Sequence, residues 1–216
     1  MQPDPVLAPE AVLDAAGFQA LVGATDAQIQ DLTRFQALLA EWNEVMNLVG
    51  PLTIATYLTR HALDSAQLVP VAPEASTWAD LGAGAGLPGV VLAILMKGRA
   101  GARVHLVESM TKRCRFLEVV ARDLDLPVQV HNARAEDLKL KVDVVTARAC
   151  APMSKLLGFA EPYLRNGAVG LFLKGQDVET ELSEARKALT FDADLRISQS
   201  DPRGRIVQVK RLSRVR

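Results

Sequence analysis

Residues 77–95 constrain this chain more than any other stretch. They read Thr77-Trp78-Ala79-Asp80-Leu81, then Gly82-Ala83-Gly84-Ala85-Gly86, then Leu87-Pro88-Gly89 and an apolar run from Val90 to Leu95. The short apolar opening predicts a buried strand. Glycines at alternate positions predict a tight turn, and an apolar run with a proline near its start predicts the first turns of a helix. Glycine is required where a side chain would block the close approach of a ligand to the backbone. A helix N-terminus behind such a turn offers free N–H groups and a positive dipole end. The stretch therefore predicts a strand, a glycine loop and a helix that hold a small molecule carrying phosphate or carboxylate. A glycine-rich turn without a ligand is the alternative.

The spacing narrows the ligand. A dinucleotide fingerprint has glycines at the first, third and sixth loop positions. Here Gly82, Gly84 and Gly86 take the first, third and fifth, and Leu87 the sixth, with the acidic Asp80 two places ahead. This pattern is similar to the first motif of S-adenosylmethionine-dependent methyltransferases built on a Rossmann-like sheet. It counts against a dinucleotide oxidoreductase.

The chain has 216 residues, 49% of them apolar, enough for one core-sized domain and an appendage. The formal net charge is zero, so no global field gathers a polyanion, yet the distribution is uneven. Met1 to Thr33 holds only acidic charges, Arg203 to Arg216 holds six basic residues and no acidic one, and basic residues crowd Lys97 to Arg122. Charge placement of this kind can make a local anion-binding face. Cys114 and Cys150 form no Cys-x-x-Cys pair, so neither a disulfide framework nor a metal site is expected. No basic-then-apolar leader opens the chain, and Leu87 to Met96 is too short to span a bilayer. Cytoplasmic residence with free thiols is the expectation.

The rest of the sequence organises around the loop. Met1 to Pro9 is proline-rich and expected to fray. Glu10 to Gly17 predicts a short helix ended by glycine. Asp26, as N-cap, opens a stronger helix through Leu48, with Ile29, Leu32, Leu39, Trp42, Met46 and Val49 along one face. Another helix is expected over Thr53 to Leu68, ended by a linker at Pro70 and Pro73. Beyond the loop, strands are predicted at Val104–Val107, Val128–Val130, Val142–Thr146 and Val169–Lys174. Helices alternate with them at Thr111–Leu124, Met153–Leu164 and Val178–Leu189. Leu195–Ile197 and Ile206–Arg211 read as a closing strand pair. The alternation predicts an α/β fold, a mostly parallel sheet with an antiparallel C-terminal pair, preceded by an N-terminal helical segment; with the glycine motif it resembles the Rossmann-like class I methyltransferase sheet. Residues 1–75 are the helical extension and 76–216 the methyltransferase domain.

Ligands on such sheets bind at the carboxyl ends of the strands. Glu108 ends the second strand, where an acid can hold a ribose. Ala135 and Glu136 follow the third, where adenine would lie. Arg148 follows the fourth, where it can hold a carboxylate or phosphate in two-pronged fashion. An ordinary surface charge is the alternative for Glu108, Glu136 and Arg148. His61, His105 and His131 are scattered through the chain and predict no ligand cluster, with His105 structural inside its strand. Trp42 and Trp78 read as core. Neither a Gly-x-Ser-x-Gly nor a P-loop occurs. There is no Asn-Pro-Pro-Tyr or Asp-Pro-Pro-Tyr and no Pro-Cys dipeptide, which argues against adenine-amino and cytosine-C5 methylation.

Five further stretches are informative: Glu41-Trp42-Asn43 with Asn47-Leu48, Arg60-His61-Ala62-Leu63-Asp64-Ser65, Lys112-Arg113-Cys114-Arg115-Phe116-Leu117, Ala147-Arg148-Ala149 and Leu173-Lys174-Gly175-Gln176. With Asp80 to Gly89 they closely resemble, in the same order, the bacterial glucose-inhibited division protein B family. The resemblance implies a 16S ribosomal RNA guanine-N7 methyltransferase using S-adenosyl-L-methionine. It implies cofactor contacts at Gly82, Leu87, Ala135, Glu136 and Arg148, to which the reading of the loop and strand ends adds Gly84, Gly86 and Glu108. Lys112, Arg113 and Arg115 would form a phosphate-binding edge; cations at a helix start oppose its dipole, which favours a functional reading. Arg60, His61 and Lys174 complete the expected RNA contacts, and Arg148 and Lys174 would position the reactants. No catalytic general base is expected, because guanine N7 has a free lone pair and no proton to lose. The expected partner is 16S rRNA within a 30S subunit or assembly intermediate, met by a monomer without metal or membrane. A protein or small-molecule acceptor, or a non-catalytic nucleotide-binding regulator, are the rival readings.

Overall fold

The structure is a computed structural model and describes residues 12–214. Seven strands form one sheet in the order β3-β2-β1-β4-β5-β7-β6. They are β1 Thr77–Leu81, β2 Arg103–Glu108, β3 Val128–Asn132, β4 Val144–Arg148, β5 Val169–Lys174, β6 Leu189–Ile197 and β7 Arg205–Arg214. β1 to β5 pair in parallel, and β7 runs antiparallel to both β5 and β6. The central strands read as continuous Val, Leu and Ala runs because helices cover both faces and leave no face for polar alternation.

The helices are α1 Ala15–Val22, α2 Asp26–Met46, α3 Pro51–Ile54, α4 Asp64–Ala66, α5 Gly89–Met96, α6 Thr111–Asp123, α7 Met153–Arg165 and α8 Val178–Arg186. On one face Val90, Leu92 and Ile94 of α5 and Phe116 and Leu117 of α6 share a buried cluster with Leu32, Phe35 and Leu39 of α2 and with Trp78, Val104 and Leu106 of the sheet. On the other, Leu156, Leu157 and Tyr163 of α7 and Leu182 of α8 pack on Ala79, Val145 and Phe172. The N-terminal helices therefore belong to the core of the sheet domain. Trp78 is buried, and Trp42 packs against Phe116 with ring centroids 5.6 Å apart. Burying each such aromatic is worth roughly 2–3 kcal/mol.

Several boundaries differ from the sequence expectation. The first helix begins near where it was expected to end: Asp14 caps α1 by accepting from Gly17 N–H, and Gly23 closes it in the left-handed conformation. The start of the expected Glu10–Gly17 helix and the Met1–Pro9 stretch lie outside the described residues. The N-cap of α2 is Thr25, with Asp26 as the first helical residue; Thr25 and Gln28 form a reciprocal capping box, worth about 1 kcal/mol. The helix stops at Met46 because Asn47 adopts a left-handed conformation, which asparagine tolerates. The expected Thr53–Leu68 helix is broken into α3, a π-helical turn over Leu58–Leu63, α4 and a 3-10 turn over Val69–Val71. β6 starts at Leu189, so α8 is shorter and the closing strands longer than the sequence suggested.

Candidate active site

The loop after β1 is folded by its own glycines. Gly82 and Ala83 N–H both donate to Val107 O, Gly84 N–H to Glu108 Oε2, and Gly86 N–H to Ala83 O. A Cβ on Gly82 would lie 2.7 Å from Cys150 Sγ, and one on Gly86 would lie 2.6 Å from Val90 Cγ2. These two glycines admit neighbouring protein atoms. Gly84 differs: it has φ +49°, and a Cβ there meets nothing nearer than Gly82 O at 3.5 Å. Of the three glycines expected to admit a ligand, only Gly84 leaves its face open.

The helix start has fewer free N–H groups than the sequence predicts. Gly89 N–H donates to Asp80 Oδ2 at 2.9 Å, Val90 N–H to Gly86 O and Leu92 N–H to Pro88 O. The group that meets this helix N-terminus is the protein's own aspartate. Asp80 is fully buried, and its Oδ1 has no partner. Burial pushes its carboxyl up to about 7, against the opposing pull of the Gly89 amide and the more distant Arg148. A buried orphan oxygen calls for a donor, cationic for preference.

The predicted residues lie along one edge. β3, β2, β1, β4 and β5 are neighbours, and their carboxyl ends carry, in that order, Ala135 with Glu136, Glu108, the glycine loop, Arg148 and Lys174. Four strand spacings make this row about 19 Å long. Glu108 is buried; Oε1 accepts from Met110 N–H at 2.8 Å, and Oε2 has Arg113 at 3.8 Å as well as Gly84. Each carboxylate oxygen keeps a further lone pair. Ala135 is buried and its carbonyl accepts from Tyr163 Oη at 3.1 Å, while Glu136 is exposed near Arg134. Leu87 is buried, and among the described residues the Ala85 and Leu87 amides are the loop's two N–H groups left without a protein partner.

At the other end of the row opens a cleft of about 640 Å³, lined by Arg60, His61, Asp64, Arg148, Lys174, the 198–205 turn and Leu48 to Gly50. Arg148 NH1 donates to His61 Nδ1 at 3.0 Å and approaches Arg60 O and Asp64 Oδ2, each at 3.4 Å. Arginine only donates, so His61 Nδ1 accepts and the ring carries its proton on Nε2. That proton goes to Thr53 Oγ1 at 2.8 Å, and Thr53 in turn donates to Gly50 O. Burial, then Arg148 and Arg60, depress His61 to about 3. It is a neutral spacer with both nitrogens engaged. Lys174 is likewise held, by Glu181 at 2.6 Å and Ala151 O at 3.0 Å. Lys112, Arg113 and Arg115 stand in the first two turns of α6, outside the lining of the cleft, and Arg113 reaches toward Gly84 and Glu108.

Residues 28–203 match the family described as GidB: rRNA small subunit methyltransferase G. The chain belongs to that family. It is 90% identical over 216 residues to the Ribosomal RNA small subunit methyltransferase G of Caulobacter vibrioides (strain NA1000 / CB15N), covering 100% of both chains. It is 68% identical over 215 residues to the protein of the same name from Caulobacter sp. (strain K31), covering 97% of each. Among solved structures it is similar in fold to cofactor-bound Rv0187 from MTB, with a TM-score of 0.57 at 16% identity over 97% of this chain and 98% of that one.

The family anticipated from six ordered stretches is the one that matches. Within its fold the sequence reading missed four features. Cys150 packs against Gly82; burial, then Asp80 and Glu108, push its thiol up, which makes it a poor nucleophile. Ala149 holds φ +50° beside Arg148. The turn between β6 and β7 forms a wall of the cleft. His105 and His131, expected to be scattered, touch at 2.9 Å on neighbouring strands. They lie far apart in the chain, and only the parallel register of β2 and β3 brings them together. No helix among the described residues is long and apolar enough to cross a membrane, and no cluster of three or more His, Cys, Asp or Glu among them is placed to hold a metal.

Proposed function

We propose that this chain transfers a methyl group from S-adenosyl-L-methionine to N7 of a guanosine in 16S ribosomal RNA, within a 30S subunit or an assembly intermediate, as a cytoplasmic monomer without a metal. The observation that carries the cofactor is the open face of Gly84, next to the carboxylate of buried Glu108, in a loop that follows the buried Asp80 with its orphan Oδ1. Two buried acids, Asp80 and Glu108, flank the loop, and the cofactor brings a cationic amino-acid end with its sulfonium to that side of the row. When bound, it supplies an electrophilic methyl group.

The residues present fit that molecule along the row of strand ends. The open face of Gly84 and the free amides of Ala85 and Leu87 would take the amino-acid end, with Gly82 and Gly86 shaping the turn around it, Glu108 the ribose, and Ala135 and Glu136 the base. Arg148, fixed by Asp64 and His61, would stand between cofactor and acceptor. Guanine N7 is nucleophilic without losing a proton, so orientation and the local field supply the acceleration. His61, neutral and bonded at both nitrogens, leaves no free imidazole base in the cleft. RNA is gripped chiefly through its phosphates. Arg60 and Lys174 line the cleft wall, and Lys112, Arg113 and Arg115 give a second basic edge on α6.

The test is methylation by the purified protein of naked 16S rRNA, of the 30S particle and of a short free oligonucleotide, with the product mapped by mass. N7-methylguanosine on the particle is expected. A preference for the oligonucleotide, or no transfer to any RNA, would overturn the reading.

A further inference from the structure

One carboxylate, Asp201, sits between two arginines that are distant in sequence. Arg203 Nε meets its Oδ1 at 3.1 Å and Arg203 NH2 meets its Oδ2 at 2.9 Å, while the Arg203 amide donates to Oδ1 at 2.9 Å. Arg60 NH1, from the π-helical turn over Leu58–Leu63, reaches Oδ2 at 3.5 Å. The arginines together hold Asp201 down to about 2, so it is a full anion at neutral pH. A planar guanidinium fork that takes both oxygens of a carboxylate has the same geometry for two oxygens of a phosphate.

The charge balance of the cleft points the same way. Arg60, Arg148, Lys174, Arg203 and Arg205 line it against Asp64 and Asp201. Asp64 answers Arg148, and Glu181, behind the wall, answers Lys174. Arg60 and Arg203 are left to share Asp201, and the Arg205 NH1 bonds only the carbonyls of Pro202 and Gly204. Two positive charges stay unmatched on this one wall, in a chain whose net charge is zero. The arginines remain open, with side chains 45% exposed at Arg60 and 67% at Arg203.

We propose that the 198–205 turn is a phosphodiester-binding wall of the RNA cleft, in which Asp201 holds Arg60 and Arg203 at the spacing that a backbone phosphate takes up when RNA enters. This rests on the RNA-methylation reading above and adds Arg203 and Arg205, which that reading does not use. Arginines anchored by a preformed carboxylate lose less freedom on binding than mobile side chains do. Such contacts carry no sequence information; they fix the register of the RNA so that the acceptor base faces Arg148.

The experiment measures binding of 16S rRNA and of the 30S particle over a series of salt concentrations. It uses the full chain, Arg203→Gln, Arg205→Gln and the double variant, with cofactor affinity and melting temperature recorded alongside. Each substitution is expected to weaken RNA binding several-fold and to lower the slope of log affinity against log salt by about one, leaving cofactor affinity and melting unchanged. Wild-type affinity and slope in both single variants, while the parent protein still methylates RNA, would overturn the proposal and leave the reading of function intact. Failure of the parent to methylate any RNA would remove that reading and this wall with it. Inorganic phosphate, titrated at constant ionic strength, is expected to compete no better than chloride. Selective displacement of RNA by free phosphate in the parent but not in Arg203→Gln would reassign the wall to a small anion and overturn the proposal.

Discussion

Arg148, the last residue of β4, gives its NH1 to Asp64 Oδ2 at 3.4 Å, and Asp64 spends its other oxygen elsewhere. Oδ1 accepts from Ser200 Oγ at 2.8 Å, Gln67 Nε2 at 3.0 Å and, more weakly, Ser198 Oγ at 3.5 Å. One carboxylate thus ties the N-terminal helical segment to the reaction side of the sheet and to the 198–205 turn. Asp64→Asn separates the two roles: the amide oxygen keeps the serine and glutamine partners, while the NH2 group cannot accept from Arg148. Losing a charge-assisted bond of this kind costs about 1.5 kcal/mol, or about tenfold. We expect that loss in cofactor affinity by calorimetry, with a small change in melting temperature. On an Arg148→Ala background the same substitution should have no effect, because Asp64 acts through Arg148. An equal loss on both backgrounds would show that Asp64 acts by another route.

His61 makes the fold acid-sensitive. Its ordinary value of 6.5 drops to about 3 in the folded chain, so between these values the unfolded chain binds a proton that the folded one refuses. Its contribution is fully present above pH 6.5 and is lost as pH falls toward 3. Burial lowers His105 as well, to about 4, with the same sign. Asp80 opposes both: raised from 3.8 to about 7, it contributes stability below pH 3.8 that is lost as pH rises through 7. His61→Gln removes one contribution and leaves the others. Denaturant melts at pH 7 and pH 4.5 should show the parent losing on the order of a few kcal/mol more than this variant. Parallel losses would mean that His61 is not held neutral by Arg148 and burial.

The division between what the residues announced and what they hid follows the range of the interactions. Gly82 to Gly86, Glu108 and Arg148 were legible because each sits at a strand end, and strand ends follow from short apolar runs. α5 was legible because Val90 to Met96 is apolar throughout. The broken helix over 51–66 was not: its turns are set by Thr53 meeting His61 and by His61 meeting Arg148, and the second contact spans 87 residues. Asp64 stood in a stretch that marked the family, yet nothing local showed that Ser198 and Ser200 would come to it. The 198–205 turn reads as an ordinary hairpin connection until β7 is placed beside β5, which brings its arginines opposite Arg60.

Two of the loop glycines, Gly86 and Gly84, can be told apart by experiment. Gly86→Ala forces a Cβ against Val90 Cγ2 at 2.6 Å and against Leu117 and Phe35 at 3.2 Å, at φ +79°. Overpacking and left-handed strain together should cost about 2–4 kcal/mol, read as a fall in the unfolding midpoint. Gly84→Ala meets no such wall, so only the backbone term of about 1–2 kcal/mol applies. Its main effect should be a loss of cofactor affinity of tenfold or more, as the new methyl group fills the open face. If Gly84→Ala bound the cofactor like the parent, the open face would not be where the cofactor lies.

Ala149 is strained where a glycine would not be. It holds φ +50° between Arg148 and Cys150, in the loop that leaves β4. A non-glycine residue in that conformation costs about 1–2 kcal/mol, and such strain gathers at working sites. Ala149→Gly removes the strain but adds freedom to the unfolded chain worth roughly 0.5–1 kcal/mol. The net expectation is a gain of between zero and about 1.5 kcal/mol, with melting temperature rising about 2–4 °C for each kcal/mol in a chain of this size. The Arg148 clamp is then anchored to a looser loop, so methyl transfer should slow while the fold becomes more stable. A variant that is less stable than the parent would show that the left-handed turn at Ala149 carries no strain to release.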